Sequence, residues 1–299
     1  MYRMQNIGNP QEDSFDNFIQ RFKLLAERDN HIVVNTLSNI FTMRLIGNKT
    51  HGDLAEVGIT EFINQFMTDY RAIHVGKNLF RAKEREEDIV IINNKTNKEF
   101  PVSLKAYGNG PLQLSTDSDQ KMFPYLESQG QEITEKNNID LIFNSPAFDS
   151  FLGINMLSFI YDETERKCNI MVFDHEKAMR ETAKIIYVGK GESFNGKGHG
   201  RKHPIYLFLD KEDKYICEVR YGGASANALQ RGLWTNTKNA LNYFDSITNG
   251  WIDYTHNNSL VNLFSLALNA SKTCHDEINF MLLNDIQRLT NEEPNGTLH

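Results

Sequence analysis

Apolar residues near the start of the chain recur with the spacing of an α-helix. Between Ser14 and Glu27 the large apolar side chains fall on one side of a helix: Phe15, Phe18, Ile19, Phe22 and Leu25. The same spacing predicts a second helix over Val34 to Leu45 and a third from about Asp53 to Tyr70. A further helix is predicted near the other end of the chain, from Ser259 to Leu289.

The chain then changes to the period of two that is typical of β-strands. Residues 89–92 form an unbroken apolar run, and apolar side chains alternate with others over Phe100–Tyr107. The polar stretch between them, residues 93–98, has the composition of a turn. These three segments together predict a β-hairpin.

The register of this hairpin brings charged side chains together. With the turn centred near residues 95–96, Asp88 lies opposite roughly Leu104, within reach of Ser103 and Lys105. A carboxylate and a lysine at one spot can hold a divalent cation and steer a water molecule at a phosphodiester. The alternative is that Asp88 belongs to a charged surface run and that Lys105 extends its stem along an edge strand.

Strand-like runs recur in the second half of the chain. They cover Asn169–Phe173, Ala183–Val188, Pro204–Leu209 and Tyr215–Tyr221. Helices, then strands, then helices predict an α/β fold, with one mixed central β-sheet flanked by helices. Because no linker composition marks a boundary, we expect a single domain over residues 1–299.

The predicted third helix carries an acid that needs an explanation. On a helical wheel Glu56 falls inside the apolar arc, whereas Glu61 falls on the opposite side. A buried carboxylate is costly unless it is paired or binds a metal ion. The alternative is that Glu56, in the first turn, interacts with the N-terminal amides of the helix.

The composition of the chain indicates its cellular location and the redox state of its cysteines. No run approaches the ~18–20 apolar residues of a membrane span, and the first residues lack a signal-peptide core. The three cysteines are far apart and form no Cys-x-x-Cys pair. These observations predict reduced thiols, a cytoplasmic location and no membrane partner.

The net charge of −7 disfavours nucleic acid as a partner, but the charges are unevenly distributed. Residues 183–239 carry ten Lys and Arg against five acids, so this segment is at +5 and the rest is at −12. A local basic zone on an acidic protein fits specific DNA binding with little non-specific association. The alternative is an ordinary solvated surface.

The order of these acids and the lysine resembles the PD-(D/E)XK nuclease superfamily, and most of all the type II restriction endonucleases. The resemblance covers Gly52–Tyr107: the Glu56 helix resembles the helix with the first acid, Asp88 matches the metal-binding aspartate and Lys105 the catalytic lysine. Two positions depart from the pattern. Ser103 stands where a second acid is usual, and Pro101 is not the proline of the motif.

The resemblance implies a magnesium-dependent, sequence-specific double-strand DNA endonuclease. Glu56, Asp88 and the Leu104 carbonyl would hold one or two Mg²⁺ ions, Lys105 would orient or deprotonate the attacking water, and Ser103 would add a hydroxyl. It also implies a homodimer on a palindromic target and a cognate methyltransferase. The catalytic part would cover about 1–130 and the DNA-contacting part about 131–299.

A second resemblance lies in Glu218–Trp234, which is similar to a strand, glycine turn and Ala-Asn-x-Leu-Gln segment of some four-base-cutting restriction enzymes. Within it Asn227, Gln230 and Arg231 would share a helix face and read bases. The alternative is a plain strand, turn and helix in which Arg220 pairs with Glu218. The predicted DNA contacts are Gln113, Ser115, Lys190, Lys197, Arg201, Lys202, Arg220, Tyr221, Asn227, Gln230 and Arg231.

Two glycine-rich segments are open to other interpretations. Gly191 to Lys197 fits Gly-x-x-x-x-Gly-Lys after a strand, but Gly198 replaces the magnesium-binding Ser or Thr of a nucleotide-binding loop. A loop that touches DNA phosphates is favoured, with a plain surface loop as the alternative. The second segment is residues 108–116, directly after the strand with Lys105. Its Gln113, Ser115 and Thr116 could contact DNA, or they could cap the next helix.

Three functions therefore compete. The first is the nuclease, and the second is a non-cleaving DNA-binding protein on a degenerate nuclease scaffold, which Ser103 favours. The third is a nucleotide-binding enzyme, which the missing Ser or Thr after Lys197 disfavours.

Overall fold

The computed structural model describes residues 15–37, 51–75, 88–162, 164–192, 200, 202–221, 231–253 and 284. Side chains are described in these ranges except at residues 51–55, 57, 106 and 107. The predicted helix over Ser259 to Leu289 lies outside these ranges apart from residue 284, which is helical. No helix in the described ranges is long and apolar enough to cross a membrane.

The helical start of the chain is confirmed. Helix α1 (Phe15–Arg28) buries all five of the predicted apolar side chains. Residues 30–37 are also helical, so the second helix starts before Val34, and its predicted end lies outside the described residues. Helix α2 (His51–Phe66) is the predicted third helix. The later helices are α3 (Met122–Gln129), α4 (Lys136–Phe143), α5 (Asp149–Leu152) and α6 (His175–Glu181).

The predicted end of the third helix at Tyr70 is wrong, because Tyr70 begins strand β1 (Tyr70–His74). Tyr70 and Ala72 are buried and alternate with exposed Arg71 and Ile73, which is the period of a strand. The Asn64 side chain bonds both backbone groups of Ala72 and so ties the helix to the strand.

The described strands form two sheets. The first has the order β1-β2-β3-β6-β7-β12, with β13 also paired to β7. Its strands after β1 are β2 (Ile89–Asn93), β3 (Glu99–Tyr107), β6 (Met156–Asp162), β7 (Lys167–Phe173), β12 (Phe244–Ser246) and β13 (Ile252–Asp253). The β3–β6 pair is parallel and the other pairs are antiparallel, so the sheet is mixed.

The second sheet has the order β4-β11-β10-β9-β8-β5, and every pair whose register is given is antiparallel. Its strands are β4 (Pro111–Ser115), β5 (Glu132–Ile133), β8 (Lys184–Val188), β9 (Ile205–Leu209), β10 (Tyr215–Arg220) and β11 (Gly232–Asn236). The four predicted strand runs therefore lie in β7, β8, β9 and β10, whereas β1, β4, β5, β6, β11, β12 and β13 were not predicted as strands.

The α/β class with a mixed sheet flanked by helices is confirmed, whereas the expectation of one sheet is wrong. After β3 the chain turns at Gly108–Gly110 into the second sheet; Gly110 has a φ of 147°, which favours glycine. Thr237 Oγ1 donates a hydrogen bond to the Gly108 carbonyl at 2.6 Å and so holds this turn. Each sheet contains strands from both sides of residue 130.

Two main hydrophobic cores position the elements. One core lies under α1 and α2 and contains Val102 and Leu104 of β3. The second is shared by the two sheets, because Met156 of the first sheet packs in the same cluster as Phe208 of the second. The face of β3 opposite Val102 and Leu104 is therefore the face that carries the candidate chemistry.

Candidate active site

The hairpin of β2 and β3 places Asp88 beside the predicted residues. The register pairs Ile89 with Val102, so Asp88 lies opposite Ser103, one residue before the predicted neighbour Leu104. Asp88 Oδ2 accepts a hydrogen bond from Ser103 Oγ at 3.0 Å and another from the Leu104 N–H at 2.6 Å. A hydroxyl and a backbone amide therefore fix this carboxylate at the start of β2.

Lys105 lies two residues beyond Ser103 on the same face of β3. Its side chain is half-buried, and within the described ranges it makes no ion pair or hydrogen bond. An ammonium group without an acidic partner is in a suitable state to bind a phosphate oxygen. On the other side, the parallel register with β6 places Ser158 beside Lys105.

Glu56 has a partner that the sequence did not predict. Its Oε2 lies 2.8 Å from His74 Nε2, and the two side chains are 19% and 29% exposed. Glu61, by contrast, is exposed, as the helical wheel predicted. Glu56 is therefore a half-buried acid that is paired with an imidazole at the end of β1.

The end of β1 is tied directly to the Asp88 strand. His74 pairs with Ile89, and the next residue, Val75, donates its N–H to the Asp88 carbonyl at 3.0 Å. The Glu56–His74 pair and Asp88 therefore lie at the same end of neighbouring strands. The register places His74, the partner of Glu56, on the Val102 face of the sheet and Asp88 on the Ser103 face, and the two acids have different hydrogen-bond partners.

No cluster of three or more His, Cys, Asp or Glu side chains able to hold a metal ion occurs among the described residues. The donor chemistry nevertheless fits Mg²⁺, which proteins commonly bind through one or two carboxylates completed by waters and substrate phosphates. Both hydrogen bonds of Asp88 go to Oδ2, so its Oδ1 remains for a cation. Leu104, whose carbonyl is the third predicted ligand, donates its N–H to Asp88.

Several predicted DNA contacts meet on the second sheet. Gln113 pairs in register with Trp234, and its Nε2 donates to the Arg231 carbonyl and to Thr116 Oγ1, each at 3.2 Å. Ser115 lies two residues further on the same strand, and its Oγ is buried without a hydrogen-bond partner among the described residues. Gln113, Ser115 and Arg231 are therefore neighbours.

Asp117, and not Gln113, Ser115 or Thr116, caps the next helix. The two carboxylate oxygens of Asp117 accept hydrogen bonds from the N–H groups of Lys121 and Met122, each at 2.9 Å. An aspartate in this position satisfies the free amides at the start of α3. The polar residues on β4 are therefore not needed for capping.

Arg220 is held by the second sheet itself. Its Nε donates to Glu218 Oε1 at 2.7 Å, and its guanidinium carbon lies 3.7 Å from the ring centre of Trp234. The side chain of Glu218 is 3% exposed and that of Arg220 is 16% exposed. The alternative in which Arg220 pairs with Glu218 is confirmed; a role of Arg220 in DNA binding stays a prediction.

The remaining predicted DNA contacts lie between residues 190 and 230, in the C-terminal half of the chain. Lys190 and Lys202 are exposed, whereas Tyr221 is half-buried and packs edge-on against Phe123 with ring centres 5.4 Å apart. Lys197, Arg201, Asn227 and Gln230 lie outside the described residues.

The glycine-rich segment connects two antiparallel strands. Val188 at the end of β8 pairs with Ile205 at the start of β9. A nucleotide-binding loop is followed by a helix whose N-terminus binds the phosphates, whereas here a strand follows. This connection contradicts the interpretation of Gly191 to Lys197 as such a loop.

Sequence reasoning missed two residues of this region. His74 lies on β1, a strand whose first residue, Tyr70, was predicted as the end of the third helix. The alternation of Tyr70, Ala72 and His74 with polar or exposed residues is the signal that could have revealed this strand. Ser158 gave no local signal, because its place beside Lys105 depends on the pairing of distant strands.

A cavity of about 560 Å³ lies away from these residues, between α1 and the segment after α2. Its lining includes Arg21, Leu24, Phe66 and Asp69, and no predicted site residue contributes to it. This cavity and the candidate site are therefore separate features of the fold.

Comparison of the chain with protein-family models, with curated proteins and with solved structures finds no match.

Proposed function

We propose that this protein is a magnesium-dependent, sequence-specific double-strand DNA endonuclease. One observation carries the proposal: Asp88 is fixed by Ser103 and Leu104 on the strand pair that also carries Lys105. A carboxylate that is held in place and a lysine without an acidic partner among the described residues are the two groups that phosphodiester hydrolysis needs.

Asp88 would hold Mg²⁺ through Oδ1, while Oδ2 keeps its two hydrogen bonds. When bound, Mg²⁺ supplies charge neutralisation at the phosphate and makes a water molecule more acidic. Glu56 is the second candidate ligand, and His74 orients its carboxylate. The Leu104 carbonyl remains the third candidate ligand.

Lys105 has the electrostatic role in this proposal. Its ammonium group binds a non-bridging phosphate oxygen and balances the negative charge that grows there during attack by water. The ammonium group can also orient that water, whereas only the neutral amine form of Lys105 could take a proton from it. Ser103, which stands where a second acid is usual, holds Asp88 in place through its hydroxyl.

The DNA-contacting surface would lie on the second sheet and its loops. Gln113, Ser115 and Arg231 lie together there, and exposed Lys190 and Lys202 would neutralise phosphates. A palindromic site would be bound by a homodimer. We further propose a cytoplasmic location, consistent with the buried free thiols of Cys168 and Cys217, and a cognate methyltransferase as cellular partner.

The test is incubation of the purified chain with unmethylated phage DNA, with Mg²⁺ and separately with EDTA. Discrete magnesium-dependent fragments are the expected result, and the sequences of their ends would give the recognition site. Lys105→Ala should leave the DNA intact, and Glu61→Gln, a change at an exposed acid, should cleave like the wild type. Intact DNA with the wild-type protein at every magnesium concentration would contradict the proposal.

The second candidate function is a DNA-binding protein that does not cleave. It is favoured by Ser103, because the position offers a hydroxyl where most nucleases of this type offer a second carboxylate. A gel shift of the same phage DNA without any cleavage would support this candidate over the first.

A further inference from the structure

Ser158 is a buried hydroxyl without a visible purpose in the packing. It lies in the middle of β6, is 0% exposed, and its Oγ has no hydrogen-bond partner among the described residues. Leaving a buried hydroxyl without a partner is unfavourable, and most buried polar atoms in proteins are paired. An alanine at this position would fill the strand at no such cost.

The nearest polar group by strand register is Lys105. The parallel pairing of β3 with β6 aligns Lys105 with Ser158, and aligned residues on neighbouring strands point to the same face of a sheet. Neighbouring strands are about 4.8 Å apart, and a lysine side chain has four rotatable bonds. Rotation of these bonds can therefore bring the Lys105 ammonium to the Ser158 oxygen.

The two groups complement each other chemically. Lys105 has three N–H donors, and within the described ranges none of them is in a hydrogen bond or an ion pair. Ser158 Oγ can accept such a bond through its lone pairs. Ser103 precedes Lys105 by two residues on β3, and Asp88 lies opposite Ser103 on the β2 side, away from β6.

We propose that Ser158 is a positioning residue for Lys105. Its Oγ accepts a hydrogen bond from the ammonium group and restricts a side chain that otherwise has large rotational freedom. Because Ser158 acts through the lysine and does not touch DNA, it affects the rate of the bond-breaking step and leaves DNA affinity unchanged. The inference rests on the proposed nuclease function, since it assigns Lys105 to that reaction.

A purely structural role and this role predict different outcomes for Ser158→Ala. We expect the variant to unfold at about the wild-type urea concentration, because the half-buried Lys105 ammonium that loses this hydrogen bond can bond to water and a buried hydroxyl is removed at the same time. Its single-turnover cleavage rate with Mg²⁺ should fall about 10- to 100-fold. Its affinity for the same DNA, measured with Ca²⁺ in place of Mg²⁺, should not change.

Ser145→Ala is the matched control. Ser145 is also a buried serine, but its Oγ donates to the Ile142 carbonyl at 2.7 Å. Its replacement should lower stability without altering the cleavage rate. A loss of rate in Ser145→Ala equal to that in Ser158→Ala would overturn the proposal, because any buried serine would then have the same effect.

A readout independent of cleavage separates this inference from the proposed function. In protein with ¹³C-labelled lysine, the Cε signal of Lys105 is assigned by its disappearance in Lys105→Arg. Ser158→Ala should shift that signal, whether or not the wild type cleaves DNA. If the Lys105 signal stays in place, or if it moves while a cleaving wild type and the variant have equal rates, the positioning role is refuted.

Discussion

Replacement of Asp88 should affect stability as well as catalysis, by amounts that depend on the replacement. Asp88→Ala removes the acceptor of two hydrogen bonds and leaves the Leu104 N–H, in a strand whose side chains pack in the core, without its partner. Hydrogen bonds to a charged group contribute roughly 1.5–3 kcal/mol each, and the two share one oxygen. We expect the free energy of unfolding to fall by about 2–3 kcal/mol.

Asp88→Asn should separate the two effects. The amide oxygen can still accept both hydrogen bonds, and neutral hydrogen bonds have about half the strength of charge-assisted ones. We therefore expect a loss of about 1–1.5 kcal/mol in stability. Cleavage should be abolished in both variants, because the negative charge that attracts the cation is gone.

Urea unfolding followed by circular dichroism measures these differences, and the phage DNA assay measures cleavage. Asp119→Ala is the control, since Asp119 is 67% exposed and its ion pair with Lys121 is on the surface, where such pairs contribute little to stability. If Asp88→Ala is as stable as Asp119→Ala, the hydrogen bonds of Asp88 do not hold the hairpin, and the reasoning fails.

Three further predictions follow from the same structure. Lys105→Met should cut DNA at least about 100-fold more slowly while unfolding close to the wild-type urea concentration, because the lysine makes no ion pair among the described residues and methionine keeps its apolar stem; a loss of stability as large as that of Asp88→Ala would contradict this. Glu56→Gln should lose cleavage activity, whereas Glu61→Gln should cleave at the wild-type rate. Equal rates for the two variants would show that the burial of Glu56 does not indicate a catalytic role. Burial raises the pKa of Cys168 to about 12, so the folded state keeps a proton that the unfolded state loses above about pH 9. Stability should therefore fall as pH rises from about 9 to 12, and less steeply in Cys168→Ala; equal slopes in urea unfolding would show that the thiol is not responsible.

The hairpin at the candidate site could be predicted because its determinants are local. The alternation in β3 and the polar turn fix a register that differs from the predicted one by a single residue, with Asp88 opposite Ser103. The face of α1 was predictable for the same reason, since one helix period decides which side chains are buried.

The division of the strands between two sheets could not be predicted, because strand pairing has no local signature, although β8, β9 and β10 were each predicted as strands. β4 alternates over only five residues, in a segment rich in glycine, proline and serine, and β6 of the first sheet begins with five buried residues in succession. The neighbours of Glu56 and Lys105 were hidden for a related reason. His74 contacts Glu56 through the packing of β1 against α2, and Ser158 lies beside Lys105 through the pairing of β3 with β6, and both arrangements depend on the whole fold.

The parallel pairing of β3 with β6 has a consequence for the order in which the site is assembled during folding. Asp88 and Ser103 are joined by a hairpin, which can close quickly from a short loop. Lys105 and Ser158 become neighbours only after a connection that contains β4, β5 and three helices has folded back. Contacts of such long sequence separation form slowly. We expect a newly made chain to have its carboxylate in place well before its lysine is fixed, so that DNA cutting begins only with the complete fold.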